Sequence, residues 1–313
     1  MTQPVLLLGA GRAAYGEFPL ARIAAGRPVV LVAPAPPAWA RPYLAGHVAA
    51  DPGREAETAE AVLRYTARHR VGGVLTWSGR YVRSTARIAA WLGLPGLPYT
   101  TAATCADPSA VRTLLARHRV VPAAVEDAED AEGPLVSAVA VVLDDEVRIT
   151  ALVRTTPAPP PAEGALRHSV HAHDPLLHNR FLRQTVERAA RALRLAHTVA
   201  HVGLRLTSRG PRVTGVTPCL PGDLVPLLVE EATGVDLAGA AATLATGGLP
   251  DVSPTRQRAA AVQFARPAPP AGRPAHWVVT GEDTTECERA LDHLTRSHPR
   301  PALSDAPWEP RAA

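Results

Sequence analysis

The chain has 313 residues, 46% of them hydrophobic and 20% charged, which excludes wholesale disorder and is long enough for more than one compact lobe. Its 33 basic residues against 29 acidic ones give a formal charge of +4, and every basic residue is arginine, so lysine-dependent chemistry is excluded. The arginines are dispersed among acidic residues rather than clustered with aromatics, which argues against nucleic acid.

Val5 to Leu8 and Val29 to Val32 are continuous apolar runs that suit strands buried on both faces of a parallel sheet. Phe18 to Ala25 supplies a crossover helix between them. Glu55 to His69 and Ser84 to Leu92 follow as helices, with Val71 to Trp77 as a strand between them. Gly9, Gly11 and Gly16 fall where the first strand turns into a helix. They are read either as a phosphate approach or as a tight turn, since the spacing departs from GxGxxG. The start lacks a charged leader and its apolar run is far too short to cross a membrane, so a cytoplasmic location is expected.

Asp107 caps a helix running to His118, with Pro108 in its first position. Ala123 to Glu132 is an acidic loop. Leu135 to Leu143 and Glu146 to Val153 form a hairpin through Asp144-Asp145. An arginine-rich helix is expected from Leu176 to Leu195, and strands from Ala200 to Thr207 and Arg212 to Thr217. Helices follow at Leu224 to Thr233 and Leu237 to Thr246, with Gly234 and Gly247 at their ends. The tail gives strands at Ala259 to Phe264 and His276 to Thr280 and a helix at Thr285 to Thr295, with Pro-rich segments at 156–164 and 267–274 and a frayed end from His298.

Three stretches together resemble the ATP-grasp carboxylate-amine ligases. They are Leu75 through Gly96 to Arg112 and Pro122; Val136 to Leu152; and, most specifically, His197 to Leu206 with Gly210 to Asp223. The resemblance implies an α/β protein: a Rossmann-like pre-ATP-grasp domain, then an incomplete ATP-grasp-like α+β domain. Its boundaries are expected at 1–104, at 105–133 for a connecting helix and acidic loop, at 134–256 for a degenerate core, and at 257–313 for a strand, helix and tail. Working relatives hold magnesium with an acidic residue on the first strand of the third stretch and a Glu-x-Asn pair on the second. The register set by Gly210-Pro211 and Gly222-Asp223 places Gly203, Gly215 and Thr217 there, with Cys219 at a usual arginine position.

Magnesium takes oxygen ligands, commonly one or two carboxylates along with substrate phosphates, and glycine supplies none. Relatives also carry a lid subdomain between the positions of Pro122 and Gly133, where this chain offers only the ten residues Ala123 to Glu132. One strand alone takes about 5 residues. ATP and magnesium are therefore expected to be absent. The first expectation is a noncatalytic binder of a small carboxylate or amino acid, or a partner subunit of an active biosynthetic enzyme, with a homodimer as the other assembly. The alternatives are an ATP-independent enzyme of amide or ester chemistry using Cys219 or a histidine, and a true ATP-dependent ligase whose nucleotide site is unrecognised.

His168, His171, His173, His178, His197 and His201 fall in one lobe, as a metal site or as ordinary partly buried histidines; their spacing matches no zinc pattern. The resemblance implies that His168, His197 and His201 are inherited and mark a substrate-side pocket. Cys219, just before the Leu224 helix, is a candidate nucleophile activated by a helix N-terminus, with His197 or His201 as base, or else an apolar filler. Arg112 and Arg205 are candidate carboxylate anchors beside Asp223. Cys105, Cys219 and Cys287 are too far apart for a disulfide framework.

Overall fold

A computed structural model describes residues 2–120, 133–159, 164–265 and 276–297. The expected acidic loop at 123–132, the Pro-rich segment at 267–274 and the frayed end from His298 lie outside the described residues, as does part of the Pro-rich segment at 156–164. The first lobe is a four-stranded parallel sheet in the order β3-β2-β1-β4. Its strands are β1 (Val5–Leu8), β2 (Val29–Ala33), β3 (Gly46–Ala49) and β4 (Gly73–Leu75). Every residue of β1 is buried, as its unbroken apolar run requires between two faces of helices. Helix α1 (Ala13–Gly26) packs on one side, and α2 (Glu55–Thr66) and α3 (Val82–Trp91) on the other. Strand β3 is not expected from the sequence because Gly-His-Val-Ala offers neither an apolar run nor alternation.

Two short helices, α4 (Tyr99–Cys105) and α5 (Pro108–Arg117), lead out of this lobe. The Asp107 carboxylate accepts from the Ser109 amide at 2.8 Å, the cap that Asp-Pro predicts. A seven-stranded antiparallel sheet follows in the order β11-β10-β7-β6-β5-β8-β9. Its strands are β5 (Leu135–Leu143), β6 (Glu146–Pro157), β7 (Ala165–His171), β8 (Thr198–Thr207), β9 (Gly210–Thr217), β10 (Ala259–Phe264) and β11 (His276–Gly281). The expected hairpin is present, with Asp144 in the left-handed region at φ 52°.

Alternation divides the second sheet between two cores. Val136, Ala138, Ala140 and Val142 of β5 join Val202 and Leu204 of β8 against α5 and α6 (Arg180–Ala192). Val139, Val141, Val153, Val170 and Val262 face the other way, toward the first lobe and helices α7 (Val225–Thr233) and α8 (Leu237–Ala245). The final helix, α9 (Thr284–Ser297), buries Cys287 and Leu291 against Ala259 and Ala261 of β10. Helix α6 starts later than expected because Asn179 caps it, accepting from the Phe181 and Leu182 amides at 3.0 and 3.1 Å. The lobes are pinned by Arg22 of α1, which donates from Nε at 2.8 Å to the buried Glu230 carboxylate of α7.

Candidate active site

The glycine turn after β1 is partly covered by aromatic side chains. Gly9 and Gly11 take left-handed φ values of 75° and 72°, which glycine adopts without strain. A Cβ on Gly9 meets the Tyr81 ring at 2.5 and 2.9 Å, and one on Gly11 meets the Trp77 indole nitrogen at 3.4 Å. Trp77 also donates to the Ala10 carbonyl at 3.2 Å. The Tyr81 ring thus packs over Gly9, whereas Gly11 stays exposed beside Trp77.

The cleft between the lobes collects a different set. His168, on β7, is paired across the ladder with Thr155 and Val262 and is buried. Its Nδ1 lies 3.0 Å from the Thr155 hydroxyl, and its ring meets Phe264 edge-on at 5.7 Å. Burial lowers the His168 pKa to about 4, so the imidazole is neutral near pH 7. His201 on β8 is lowered to about 4 as well, first by burial and then by His168, while Asp223 opposes the shift. Desolvation raises the Asp223 pKa, against the pull of His201.

Asp223 and Leu224 are consecutive left-handed residues at φ 53° and 63°, in a turn closed by the Val225 amide on the Gly222 carbonyl at 3.0 Å. For a leucine that conformation is strained, and the burial of its side chain at 5% exposure holds it. The loop therefore fixes Asp223 beside His201.

The other expected site residues are not brought together. Cys219 is buried, and desolvation pushes its thiol up to about 12, opposite to the activation expected from a helix N-terminus. His197 does not join His201. It sits at φ 46° before β8 and lines, with Cys219, an interior cavity of about 50 Å³. Among the described residues its Nδ1 is buried without a partner, and its Nε2 lies 3.6 Å from Asp144. Arg112 is exposed on α5, across the second sheet from His168, so it anchors nothing in the cleft. Arg205 is committed to the Gly133 carbonyl at 3.1 Å. His171 and His173 meet edge-on at 5.9 Å, and His173 and His178 line a separate open groove of about 710 Å³. Among the described residues no three His, Cys, Asp or Glu side chains are grouped to hold a metal.

The register of β8 and β9 pairs Gly203 directly with Gly215, and His201 with Thr217. This pair supplies no oxygen side chain, so the residues at this place do not fit magnesium. A Cβ on Gly203 meets the Thr214 hydroxyl at 2.7 Å, whereas nothing lies within 4 Å of one on Gly215.

A lobe built on a parallel sheet, followed by one built on a seven-stranded antiparallel sheet, is the ATP-grasp fold. The chain is similar to the L-amino acid ligase from Bacillus licheniformis at 16% identity and a TM-score of 0.78, covering 94% of this chain and 97% of that one. It is similar to phosphoribosylglycinamide synthetase from Anaerococcus prevotii at 16% identity and a TM-score of 0.76, covering 94% and 98%. It is also similar to N5-carboxyaminoimidazole synthetase from Staphylococcus aureus complexed with ADP, at 12% identity, a TM-score of 0.71 and coverage of 95% and 98%. No family model and no curated protein matches the sequence.

These neighbours correct one expectation. An absence of ATP and magnesium is at odds with a fold shared, over nearly the whole chain, with a synthetase solved in complex with ADP. The mismatch at Gly203 and Gly215 is local and does not carry that conclusion. The noncatalytic expectation gains no support from neighbours named as ligases and synthetases. Among the described residues no helix is long and apolar enough to cross a membrane.

Proposed function

We propose that the chain is an ATP-dependent carboxylate-amine ligase of ATP-grasp architecture, with nucleotide contacts other than those the sequence resemblance points to. The supporting observation is its correspondence in fold with a ligase and a synthetase over nearly the whole of both chains. In this reading His168, His201 and Asp223 form the substrate side of the cleft. Two neutral imidazoles offer hydrogen bonds without bringing charge, and the Thr155 contact at His168 Nδ1 leaves Nε2 as that ring's remaining polar atom. Asp223 supplies a carboxylate for an ammonium group, held in place by its strained turn.

Calorimetry of the full chain with ATP and magnesium tests the reading: saturable binding near one equivalent is expected, and no heat at millimolar nucleotide overturns it. A second reading, carboxylate binding without turnover, is favoured by the Gly203–Gly215 pair. Release of ADP with mixed carboxylates and amines separates the two. For assembly, a homodimer or a complex with an active biosynthetic enzyme is expected, and only monomer at every concentration counts against both.

A further inference from the structure

Helix α6 carries its charge along one line. Arg180, Arg183, Glu187 and Arg191 follow one another at spacings of three and four residues, which the helix stacks into a single stripe about 17 Å long. These arginines are exposed, and the exposed Arg194 follows just past the helix end. Leu182, Val186, Ala189 and Ala190 are buried against the second sheet, so the packing of α6 does not use the stripe. Nor does helix stability account for it. Arg180 takes the first helical position and no carboxylate stands in the first turn, where the helix dipole favours anions. Arg188 donates to the His118 carbonyl at 3.4 Å and to the Arg119 carbonyl, which brings the end of α5 alongside with the exposed Arg117 and Arg119.

Seven arginines thus share these helix surfaces with one carboxylate, Glu187, in a chain whose formal charge is +4, so the rest of the chain is net negative. Among the described residues Arg191 alone of the seven has a carboxylate partner, and Glu187 lies 3.9 Å from it. Arg183, Glu187 and Arg191 also form one wall of the open groove of about 710 Å³. The remaining lining is mixed: Val147, Ile149 and Leu177 are apolar, Arg148 and Arg256 basic, Asp145 and Glu146 acidic. Those two carboxylates repel a phosphate backbone, and the exposed Phe181 ring lies under the Arg180 guanidinium at 4.7 Å rather than free for base stacking. The apolar side of α6 is inside the protein, so the helix has none to lay into a lipid interface. A second copy docked through the same face sets arginine against arginine. A polypeptide of different sequence offers carboxylates to the stripe and apolar or basic side chains to the far wall.

We propose that this face docks an acidic segment of a partner protein, running along α6 with carboxylates on Arg183 and Arg191 and its other side chains in the groove. The stripe matches about five residues of extended chain. The inference is independent of the ligase reading, since it involves none of His168, His201 and Asp223.

The test follows a fluorescently labelled peptide of about five glutamates flanked by glycines, titrated with the full chain and read by anisotropy. Saturable binding that weakens as salt is raised is expected. Arg183→Gln with Arg191→Gln, checked for folding by circular dichroism, is expected to weaken it about tenfold. Arg54→Gln with Arg64→Gln removes the same charge from exposed positions at α2 in the first lobe, and is expected to leave binding unchanged. No saturable binding at millimolar peptide, or an equal loss in both double variants, overturns the docking site. Tighter binding of single-stranded DNA or of phosphatidylserine vesicles, or a self-association, that is lost in the α6 variant overturns the choice of an acidic protein partner.

Discussion

Two glycine pairs stand out in this sequence, Gly9 with Gly11 and Gly203 with Gly215, and their surroundings are opposite. The first pair takes left-handed backbone and is partly covered by Tyr81 and Trp77. The second sits in ordinary strand conformation across one ladder rung, with a neighbour over Gly203 and open space over Gly215. A glycine in the sequence records only that a side chain is missing. Whether the space is filled by another residue or left to a ligand is decided by segments far along the chain.

The sharpest way to break the comparison is Gly9→Ala. The new methyl adds left-handed strain to a collision with the Tyr81 ring, and the two together cost about 3 kcal/mol. Urea unfolding is expected to show that loss. A change under about 0.5 kcal/mol, the ordinary range of surface substitutions, means that the Tyr81 ring does not pack over Gly9.

The buried histidines answer to pH. His168 and His201 have folded pKa values near 4 against an ordinary 6.5, so between those limits the unfolded chain binds more protons and stability rises with pH. Their contribution is complete above about 6.5 and is lost as pH falls toward 4. Asp223, whose pKa burial raises, works in the opposite sense. Melting temperature is expected to fall by several degrees from pH 7 to pH 4.5, and His168→Gln to flatten the slope. An unchanged slope in that variant means His168 is not held neutral by burial.

Much of the frame is legible in the amino-acid order alone. Continuous apolar runs mark β1 and β2 because both faces of a parallel strand are covered, and Asp107-Pro108 and Asp144-Asp145 mark a cap and a turn through local chemistry. Strand β7 stays hidden because its buried polar residue, His168, takes its partners, Thr155 and Phe264, from other strands. The same distance explains the site. His168, His201 and Asp223 each stand out singly, but their meeting depends on pairing β6 with β7 and β5 with β8. Cys219 shows the converse: nearness to a helix start suggests an activated thiol, and burial by α3, α4 and the loop before α7 reverses the sign.

The smallest expected effect on stability carries the most information about chemistry. Gly215→Glu places a carboxylate where a Cβ has nothing within 4 Å and the backbone needs no left-handed φ, so stability is expected to change by less than about 0.5 kcal/mol. Gly203→Glu must displace the Thr214 hydroxyl, and about 1 kcal/mol is expected there. A carboxylate at 215 supplies the hard oxygen that magnesium prefers. Calorimetry with ATP is then expected to show affinity rising about tenfold on adding magnesium in the variant, beyond the rise in the parent chain. An identical magnesium dependence in the two proteins means that the cation is held elsewhere, and that the Gly203–Gly215 rung has been released from that duty.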